Sequence, residues 1–131
     1  MHLLDHVSIT VADLRRAQPF YEAIMAALGA EKVYERADAV GFGRRSRPGD
    51  DAHSYFSLFA SAAAAADPRR HWCFRAASRE AVRAFYAAGL RAGGTGDGEP
   101  GLRPHYHAGY YAAFLEDPEG NRVEAVFHGI E

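Results

Sequence analysis

Three side chains of the kind that binds divalent metal ions, His6, His71 and Glu124, lie in segments that alternate polar and apolar residues. This alternation is typical of β-strands with one face on the hydrophobic core, and all three residues fall on the polar face. Two imidazoles and one carboxylate suit Fe(II), Mn(II), Ni(II) or Zn(II) and leave coordination positions open for a substrate. The pattern therefore predicts a metal centre that acts on a small molecule. The alternative for each histidine is a hydrogen-bonded structural residue, which is the commoner role of a histidine in a strand.

The two histidines occupy equivalent positions in an internal repeat. Residues 4–23 read LDHVSITVADLRRAQPFYEA, and adding 65 to each number matches His6 to His71 and Phe20 to Phe85. A chain of 131 residues is long enough for one compact domain but too short for two ordinary ones. The two copies are therefore expected to share one core or one dimer, with the histidines facing a common cleft.

The first half of the chain is predicted to run strand, helix and three strands. The strands are assigned from their alternation to residues 4–11, 32–35, 39–42 and 54–59. The helix follows the N-cap residue Asp13 and ends at Gly29, which suits the left-handed conformation of a helix C-terminus.

The second half repeats this order, except that a Gly- and Pro-rich run follows the helix. Its strands are assigned to residues 71–76, 110–116 and 122–128, and its helix follows Ser78 and ends at Gly93 and Gly94. The buried stripe of that helix is predicted to be Val82, Phe85, Tyr86 and Leu90. The Gly- and Pro-rich run at 93–109 is predicted to form a long loop or an interrupted strand.

These assignments predict an α+β fold of two tandem βαβββ modules. Module one covers about residues 1–61, a connector about 62–69, and module two about 70–131.

The segment PHYHAGYY at residues 104–111 supplies the predicted acid–base groups. His105, His107 and Tyr111 are assigned as catalytic, because a positioned His or Tyr typically speeds a proton transfer by about 100- to 10,000-fold. His105 and His107 lie two residues apart, so in an extended segment they point the same way and offer an alternative metal site. The competing interpretation is a Tyr-rich loop that packs against the sheet or a dimer partner, with its histidines exposed.

The substrate is expected to contact side chains that share a strand face with the predicted ligands or lie in the same loop. Those assigned to this role are Tyr55, Ser57, Phe59, Cys73, Arg75 and Tyr110. Cys73 has two further interpretations, as a nucleophile or soft metal ligand and, more commonly for such a residue, as a small buried hydrophobe.

Composition narrows the class of partner. The formal net charge of −2 gives no basic field for nucleic acid, so a small molecule or another protein is the expected partner. No stretch reaches the roughly 18 to 20 consecutive apolar residues needed to cross a bilayer, and no secretion signal is visible. The single cysteine excludes an internal disulfide. The protein is expected to be cytoplasmic, with no membrane partner.

Three motifs carry a resemblance to a known family: LDHVSITVADL with FYEA in the first half, RHWCF with FYAAGL in the second, and FLEDPEGNRVEAV near the end. The chain resembles the vicinal oxygen chelate superfamily, which includes glyoxalases, bleomycin resistance proteins and extradiol dioxygenases. The resemblance implies two βαβββ modules paired into a U-shaped mixed sheet around a divalent metal, in a homodimer. It also implies that His6, His71 and Glu124 fall on ligand positions of the first, fifth and eighth strands.

One position departs from the glyoxalase I pattern. Those enzymes supply a fourth ligand, a Glu, from the last strand of the first module, where YFSLF places Ser57. A neutral hydroxyl is a poor substitute, which counts against lactoylglutathione lyase activity. The three-ligand pattern resembles dioxygenases and fosfomycin-modifying transferases, although extradiol dioxygenases usually have twice as many modules. A Lys cluster for a phosphonate is also missing, since Lys32 is the only lysine.

The predicted function is therefore a metal-dependent enzyme with glyoxalase-like lyase or isomerase chemistry or dioxygenase-like chemistry, acting on a substrate chelated through oxygen. The alternative is a metal-free dimer of the bleomycin-resistance type that binds a small molecule or drug in a cleft lined by aromatic residues. A third possibility is a dimeric scaffold with a degenerate site.

Overall fold

Residues 3–129 are described by the computed structural model, and they form two βαβββ modules. The elements of the first are β1 (His6–Val11), α1 (Leu14–Leu28), β2 (Lys32–Arg36), β3 (Ala39–Arg44) and β4 (Ser54–Ala60). Those of the second are β5 (His71–Arg75), α2 (Arg79–Arg91), β6 (Thr95–Leu102), β7 (Tyr111–Glu116) and β8 (Arg122–Phe127). The predicted fold class of two tandem βαβββ modules is confirmed.

Backbone hydrogen bonds divide the strands between two four-stranded sheets, in the orders β1-β4-β3-β2 and β5-β8-β7-β6. The first and last strands of each module pair in parallel, and the other pairs are antiparallel. A parallel pair needs a long crossover connection, which α1 and two strands provide in the first module. Strands β1 and β5 therefore each form an edge, and both carry a predicted metal ligand.

The helix ends follow the predicted capping residues. Asp13 accepts a hydrogen bond from the Arg16 amide at 3.3 Å, and Ser78 accepts one from the Ala81 amide at 3.0 Å. Gly29 has φ 79°, the left-handed conformation in which glycine avoids the steric cost of a Cβ.

The predicted buried stripe of α2 is confirmed at Val82 and Phe85, only partly at Tyr86, and is wrong at Leu90. Leu90 is 43% exposed, and Gly89 is buried in its place. A Cβ at Gly89 would lie 2.3 Å from Cδ1 of Leu115 and 3.1 Å from Cε2 of Phe20. Because the helix approaches its neighbours most closely at Gly89, the adjacent Leu90 turns toward solvent.

The two modules share one hydrophobic core, to which both helices contribute. The turn between β7 and β8 also holds the start of α1. The Glu119 carboxylate accepts from the amides of Ala12 and Asp13, each at 2.7 Å, and the buried Tyr21 hydroxyl donates to Asp117 at 2.7 Å. These contacts join residues about one hundred positions apart, so they position one module against the other.

The Gly- and Pro-rich run forms an interrupted strand followed by a loop. Strand β6 pairs with β7 with register shifts between Gly96 and Gly98 and between Gly98 and Gly101. The remainder, residues 103–110, connects β6 to β7 on the side of the second sheet opposite the helix. Over the described part of the chain, no helix has the length and apolar character required to span a membrane.

Candidate functional site

Glu124 is the centre of a polar cluster on module two. Strand β8 alternates, so Val123 and Ala125 enter the core and Glu124 lies on the opposite face, yet it is only 3% exposed. The Tyr110 hydroxyl donates to its Oε2 at 2.5 Å, and Nε2 of His71 lies 3.4 Å from its Oε1. A buried carboxylate is costly unless it has such partners, so the sheet and the 103–110 loop must hold both groups in place.

The Glu124 carboxylate affects the protonation of its neighbours. Cys73 is paired with Glu124 across β5 and β8. Although Cys73 lies on an edge strand, the protein atoms around its thiol and the nearby carboxylate raise its pKa well above the ordinary range. Desolvation and the hydrogen bond to Glu124 likewise raise the pKa of the Tyr110 phenol. At neutral pH Cys73 is therefore a thiol and Tyr110 a hydrogen-bond donor, and a nucleophilic role for Cys73 is disfavoured.

The 103–110 loop covers one side of this cluster with aromatic rings. The Tyr106 ring lies 4.7 Å from that of Tyr110 and 4.3 Å from that of His105. His105 and Tyr106 line a cavity of about 360 Å³ together with His71 and Glu124. The loop thus brings His105 to the same cavity as two of the predicted metal ligands.

His107 lies on the other side of Tyr110. Its Nε2 is 2.9 Å from Nδ1 of His128, and its Nδ1 accepts from the Gly109 amide, so in this arrangement Nε2 carries the proton shared with His128. Both rings contact the Tyr110 ring edge-on, at 5.4 and 5.3 Å. The structure therefore places His107 beside Tyr110 and pairs it with His128, a residue for which no role was predicted.

The third predicted ligand, His6, belongs to a separate group on module one. Its Nδ1 lies 2.6 Å from Oδ1 of Asp5, and the other oxygen of Asp5 contacts Nε2 of His53. Hydrogen bonds from His6 and His53 lower the pKa of Asp5, and the bond to Asp5 raises the pKa of His53. Sequence reasoning missed His53, because a loop residue 48 positions from Asp5 gives no periodic signal. Asp5, next to His6, could have been found.

Ser57 occupies in module one the place that Glu124 occupies in module two. The pairing registers put Ser57 between Ser8 and Gly41, just as Glu124 lies between Cys73 and Phe114. Ser8 and Cys73 are themselves related by the offset of 65 residues.

A tyrosine fills the space beside Ser57. The Tyr34 hydroxyl donates to Oγ of Ser57 at 2.5 Å. Its ring lies over Gly41, where a Cβ would come within 2.2 Å of Tyr34 Cε1. Ser57 is only 4% exposed. At this position module one therefore has a pair of hydroxyl groups, whereas module two has the Glu124 carboxylate.

The three predicted ligands do not form one metal-binding group. Within residues 3–129, no cluster of three or more His, Cys, Asp or Glu side chains could hold an ion. His71 and Glu124 are brought together, and their separation of 3.4 Å matches the roughly 3.4 Å between two ligands that each lie about 2.1 Å from a tetrahedral ion. His6 lines a larger cavity of about 740 Å³ between β1 and β5, and His71 lines the same cavity. His71 and Glu124 are therefore spaced to bind one ion, whereas His6 lies on the opposite wall of the larger cavity.

Other predicted site residues are dispersed. Tyr55 and Arg75 line the larger cavity, and Phe59 lies under the guanidinium of Arg36 at 5.6 Å. Tyr111 is buried on the helix side of its sheet, where its hydroxyl accepts from Arg83 at 3.1 Å. The structure therefore does not bring Tyr111 to Glu124, because successive residues of a strand point to opposite faces and Tyr110 has the cleft side.

Comparison with solved structures supports the fold over the whole chain. A glyoxalase/bleomycin resistance protein from Albidiferax ferrireducens T118 is 27% identical, with 98% of this chain and 100% of that chain covered and a TM-score of 0.80. A glyoxalase/bleomycin resistance protein/dioxygenase family enzyme from Burkholderia phytofirmans PsJN is 20% identical over 96% and 100% of the two chains, with a TM-score of 0.68. A glyoxalase-related enzyme from Fulvimarina pelagi is 14% identical over 97% and 88%, with a TM-score of 0.70. The last two likenesses show the fold alone.

The search of curated proteins gave no match. The family model of the Glyoxalase/Bleomycin resistance protein/Dioxygenase superfamily matches residues 3–125, which is nearly the whole chain. The match includes β1, β5 and most of β8, the strands that carry His6, His71 and Glu124. The chain therefore belongs to the glyoxalase, bleomycin resistance protein and dioxygenase superfamily.

Proposed function

We propose that this protein is a divalent-metal-dependent enzyme whose small-molecule substrate binds through oxygen atoms. The observation that supports it best is the buried Glu124 carboxylate with His71 at 3.4 Å, which together offer one oxygen and one nitrogen donor to an ion. His71, Glu124 and His6 would hold the metal. When bound, a divalent ion polarises a substrate oxygen and stabilises negative charge that develops on it.

Tyr110 is the residue best placed to move or share a proton. Its Oη donates to Glu124 Oε2, and desolvation and that carboxylate raise the pKa of the phenol. If Glu124 turns that oxygen to an ion, the Tyr110 O–H becomes available to a substrate oxygen in the same place. His105 and Tyr106 border the adjacent cavity. This role was predicted for Tyr111, and the strand geometry favours Tyr110.

The third ligand requires a second copy of the chain in this proposal. His6 belongs to the unpaired edge β1 and His71 to the unpaired edge β5, and His6 is bound to Asp5 outside the His71–Glu124 group. Two copies related by a two-fold axis would bring the β1 edge of one chain to the β5 edge of the other, twice, and so make two identical sites. We therefore propose a homodimer with shared sites.

Metal content tests the proposed function directly. Protein purified without chelator should contain close to one equivalent of Fe, Mn, Ni or Zn, and elemental analysis should show at least a tenfold loss in Glu124→Gln. The matched control is Glu80→Gln, an exposed carboxylate in the first turn of α2, which should keep its metal. Absence of metal in the wild type, with no thermal stabilisation by any added ion, would sink the enzyme proposal.

Mixed dimers test the shared site. His6→Ala and Glu124→Gln should each lose metal, but mixing them in equal amounts and allowing exchange should restore about a quarter of the wild-type content, since half the chains enter mixed dimers with one intact site of two. No restoration in a mixture shown to contain mixed dimers, or a monomeric mass for the wild type, would contradict shared sites.

A second candidate function is metal-free binding of a small molecule, of the bleomycin-resistance type. One observation favours it: the Tyr110 hydroxyl already donates to Oε2 of Glu124, so the carboxylate has a hydrogen-bond partner within the chain without an ion. The cavity of about 740 Å³ is large enough for a drug-sized ligand and is lined by Tyr55, Trp72 and Phe74. Retention of ligand binding after exhaustive chelation, with no metal in the purified protein, would favour this function over the enzyme.

A further inference from the structure

We infer that the substrate is a small organic carboxylate with a planar or aromatic body, and that Arg45 binds its acid group. The inference rests on the proposed function, because it names the substrate class of that site. It comes from a row on module one in which two arginine side chains lie among aromatic and imidazole rings, which we call the cation–aromatic row. Its members are, in order along the face, His6, Tyr55, Arg45, Tyr34, Arg36 and Phe59.

The members of this row contact one another in sequence. The His6 ring is stacked on Tyr55 at 4.9 Å with an interplanar angle of 8°. The Arg45 guanidinium lies 5.6 Å from the Tyr55 ring and 5.3 Å from the Tyr34 ring. The Arg36 guanidinium lies 5.5 Å from the Tyr34 ring and 5.6 Å from the Phe59 ring. Contacts at these distances hold a long arginine side chain against the sheet and reduce the entropy that it loses when it binds a ligand.

The local sequence explains why this face is flat and open. Tyr55 and Phe59 alternate with the buried Phe56 and Leu58, so they lie on the face opposite α1. At Gly41, any side chain would occupy the space of the Tyr34 ring. The glycine therefore lets that ring lie across the sheet, where its face meets the guanidinium of Arg45.

Arg45 is the member of the row with an unused binding group. Arg36 donates to Asp38 at 3.1 Å, whereas Arg45 makes no hydrogen bond or ion pair with any residue in the range 3–129. A planar guanidinium with free N–H groups matches the two oxygens of a carboxylate. The site for such a ligand is adjacent, because Tyr55 and His6 belong both to this row and to the wall of the cavity of about 740 Å³.

On the cleft face of module two, the guanidinium that lies over an aromatic ring is already hydrogen-bonded. There Arg103 lies over the Phe114 ring at 5.4 Å, but its guanidinium donates to the carbonyls of Gly101 and Glu99 at 2.9 and 2.8 Å. Arg103 therefore holds the irregular strand β6 in shape, while Arg45 is available. A ligand with its acid group at Arg45 would extend its body along Tyr55 into the cavity, toward His71.

Binding of simple probes to chelator-treated protein tests this inference separately from the metal. Titration calorimetry should detect benzoate, and should show that benzamide, of the same shape but neutral, binds at least tenfold more weakly. Arg45→Gln should weaken benzoate by about tenfold and leave benzamide within about twofold, and Arg45→Lys should give an intermediate loss because it keeps the charge but not the two-pronged geometry. The control Arg15→Gln, an exposed arginine on α1, should match the wild type.

Three outcomes would overturn the inference: no detectable benzoate binding by the wild type, equal affinity for benzamide and benzoate, or an unchanged benzoate affinity in Arg45→Gln that melts at the wild-type temperature. Failure of the proposed metal function has a different signature. In that case benzoate binding would survive and depend on Arg45, while elemental analysis of untreated protein would show no metal.

Discussion

Glu124 and Ser57 occupy the same place in the two modules and create opposite environments. Each lies on the second strand from the edge, faces away from the helix, and accepts a hydrogen bond of 2.5 Å from a tyrosine. In module two the acceptor is a buried carboxylate, and burial together with this carboxylate raises the pKa values of Cys73 and Tyr110. In module one it is a hydroxyl, and the surrounding face carries arginines instead. The two modules therefore keep the same backbone positions for these side chains but place different chemical groups there, a carboxylate in one and a hydroxyl in the other.

The helices show a second difference of this kind. Ile24 of α1 and Gly89 of α2 are related by the offset of 65 residues, and they meet in the shared core, where a Cβ on Gly89 would lie 3.2 Å from Cγ2 of Ile24. The large side chain of Ile24 packs in the space that the missing side chain of Gly89 leaves. Identical residues at both positions would leave either a gap or a clash.

The largest expected effect comes from removing that difference. Gly89→Ile should reduce the free energy of unfolding by about 3 kcal/mol, because the added atoms must displace Leu115 and Phe20 in a close-packed core. The control is Leu90→Ala, next to it but exposed, for which about 0.5 kcal/mol is expected. Urea denaturation of both variants measures these changes in the free energy of unfolding. A larger loss for Leu90→Ala than for Gly89→Ile would support the prediction from sequence that Leu90 is buried.

Placing a carboxylate in module one would make the two modules alike. Ser57→Glu should destabilise the metal-free protein by about 2 kcal/mol, since the new charge enters a position that is 4% exposed. If the proposed metal site is correct, a fourth ligand should then make stabilisation by added Ni(II) larger than in the wild type. Thermal denaturation with and without Ni(II) measures both effects. The control Ser57→Gln has the same size without charge, and an equal gain from Ni(II) in that variant would contradict the ligand role.

The hydrogen bonds of Tyr110 and Tyr34 allow a direct comparison with smaller expected changes in stability. Tyr110→Phe should cost about 1.5 kcal/mol and Tyr34→Phe about 1 kcal/mol, because a hydrogen bond to a carboxylate is stronger than one to a hydroxyl, although the partial exposure of Tyr110 reduces the difference. Chemical denaturation at neutral pH gives both values. A larger cost for Tyr34→Phe would mean that the packing of its ring over Gly41, rather than the acceptor, decides the energy.

The smallest expected effect is a change in the pKa of the Cys73 thiol. Burial is the main cause of the raised Cys73 pKa and the Glu124 charge is the second, so Glu124→Ser should lower that pKa without returning it to the ordinary value. Because the thiolate is the reactive form, alkylation by iodoacetamide should begin at lower pH in the variant. The rate measured across alkaline pH checks this. An unchanged profile would show that Glu124 does not act on Cys73.

Much of the architecture followed from local signals. The alternation of β1 and β5 and the helix signals at Asp13, Gly29 and Ser78 placed the elements correctly. Those signals depend on short-range backbone geometry, which each residue carries with it. Leu90 was assigned wrongly because helical spacing identifies a stripe but not the point where another helix comes closest.

The site was only partly accessible from the sequence. Periodicity put His71 and Glu124 on cleft faces and the 65-residue offset made His6 and His71 equivalent, but which atoms approach each other depends on how the strands pair. Tyr110, the last residue of the loop, contacts Glu124, whereas Tyr111, the first residue of β7, contacts Arg83 on the helix side.

The sequence by itself determined the repeat, the element order, the family and the chemical type of the residues at each position. Only the tertiary structure decided that Ser57 is the counterpart of Glu124, that His53 joins Asp5 and His6, and that Arg45 lies between two tyrosine rings. The physical reason is the range of the interactions. Local propensities act over a few residues, whereas sheet register and the meeting of loops are set by packing between segments tens of residues apart.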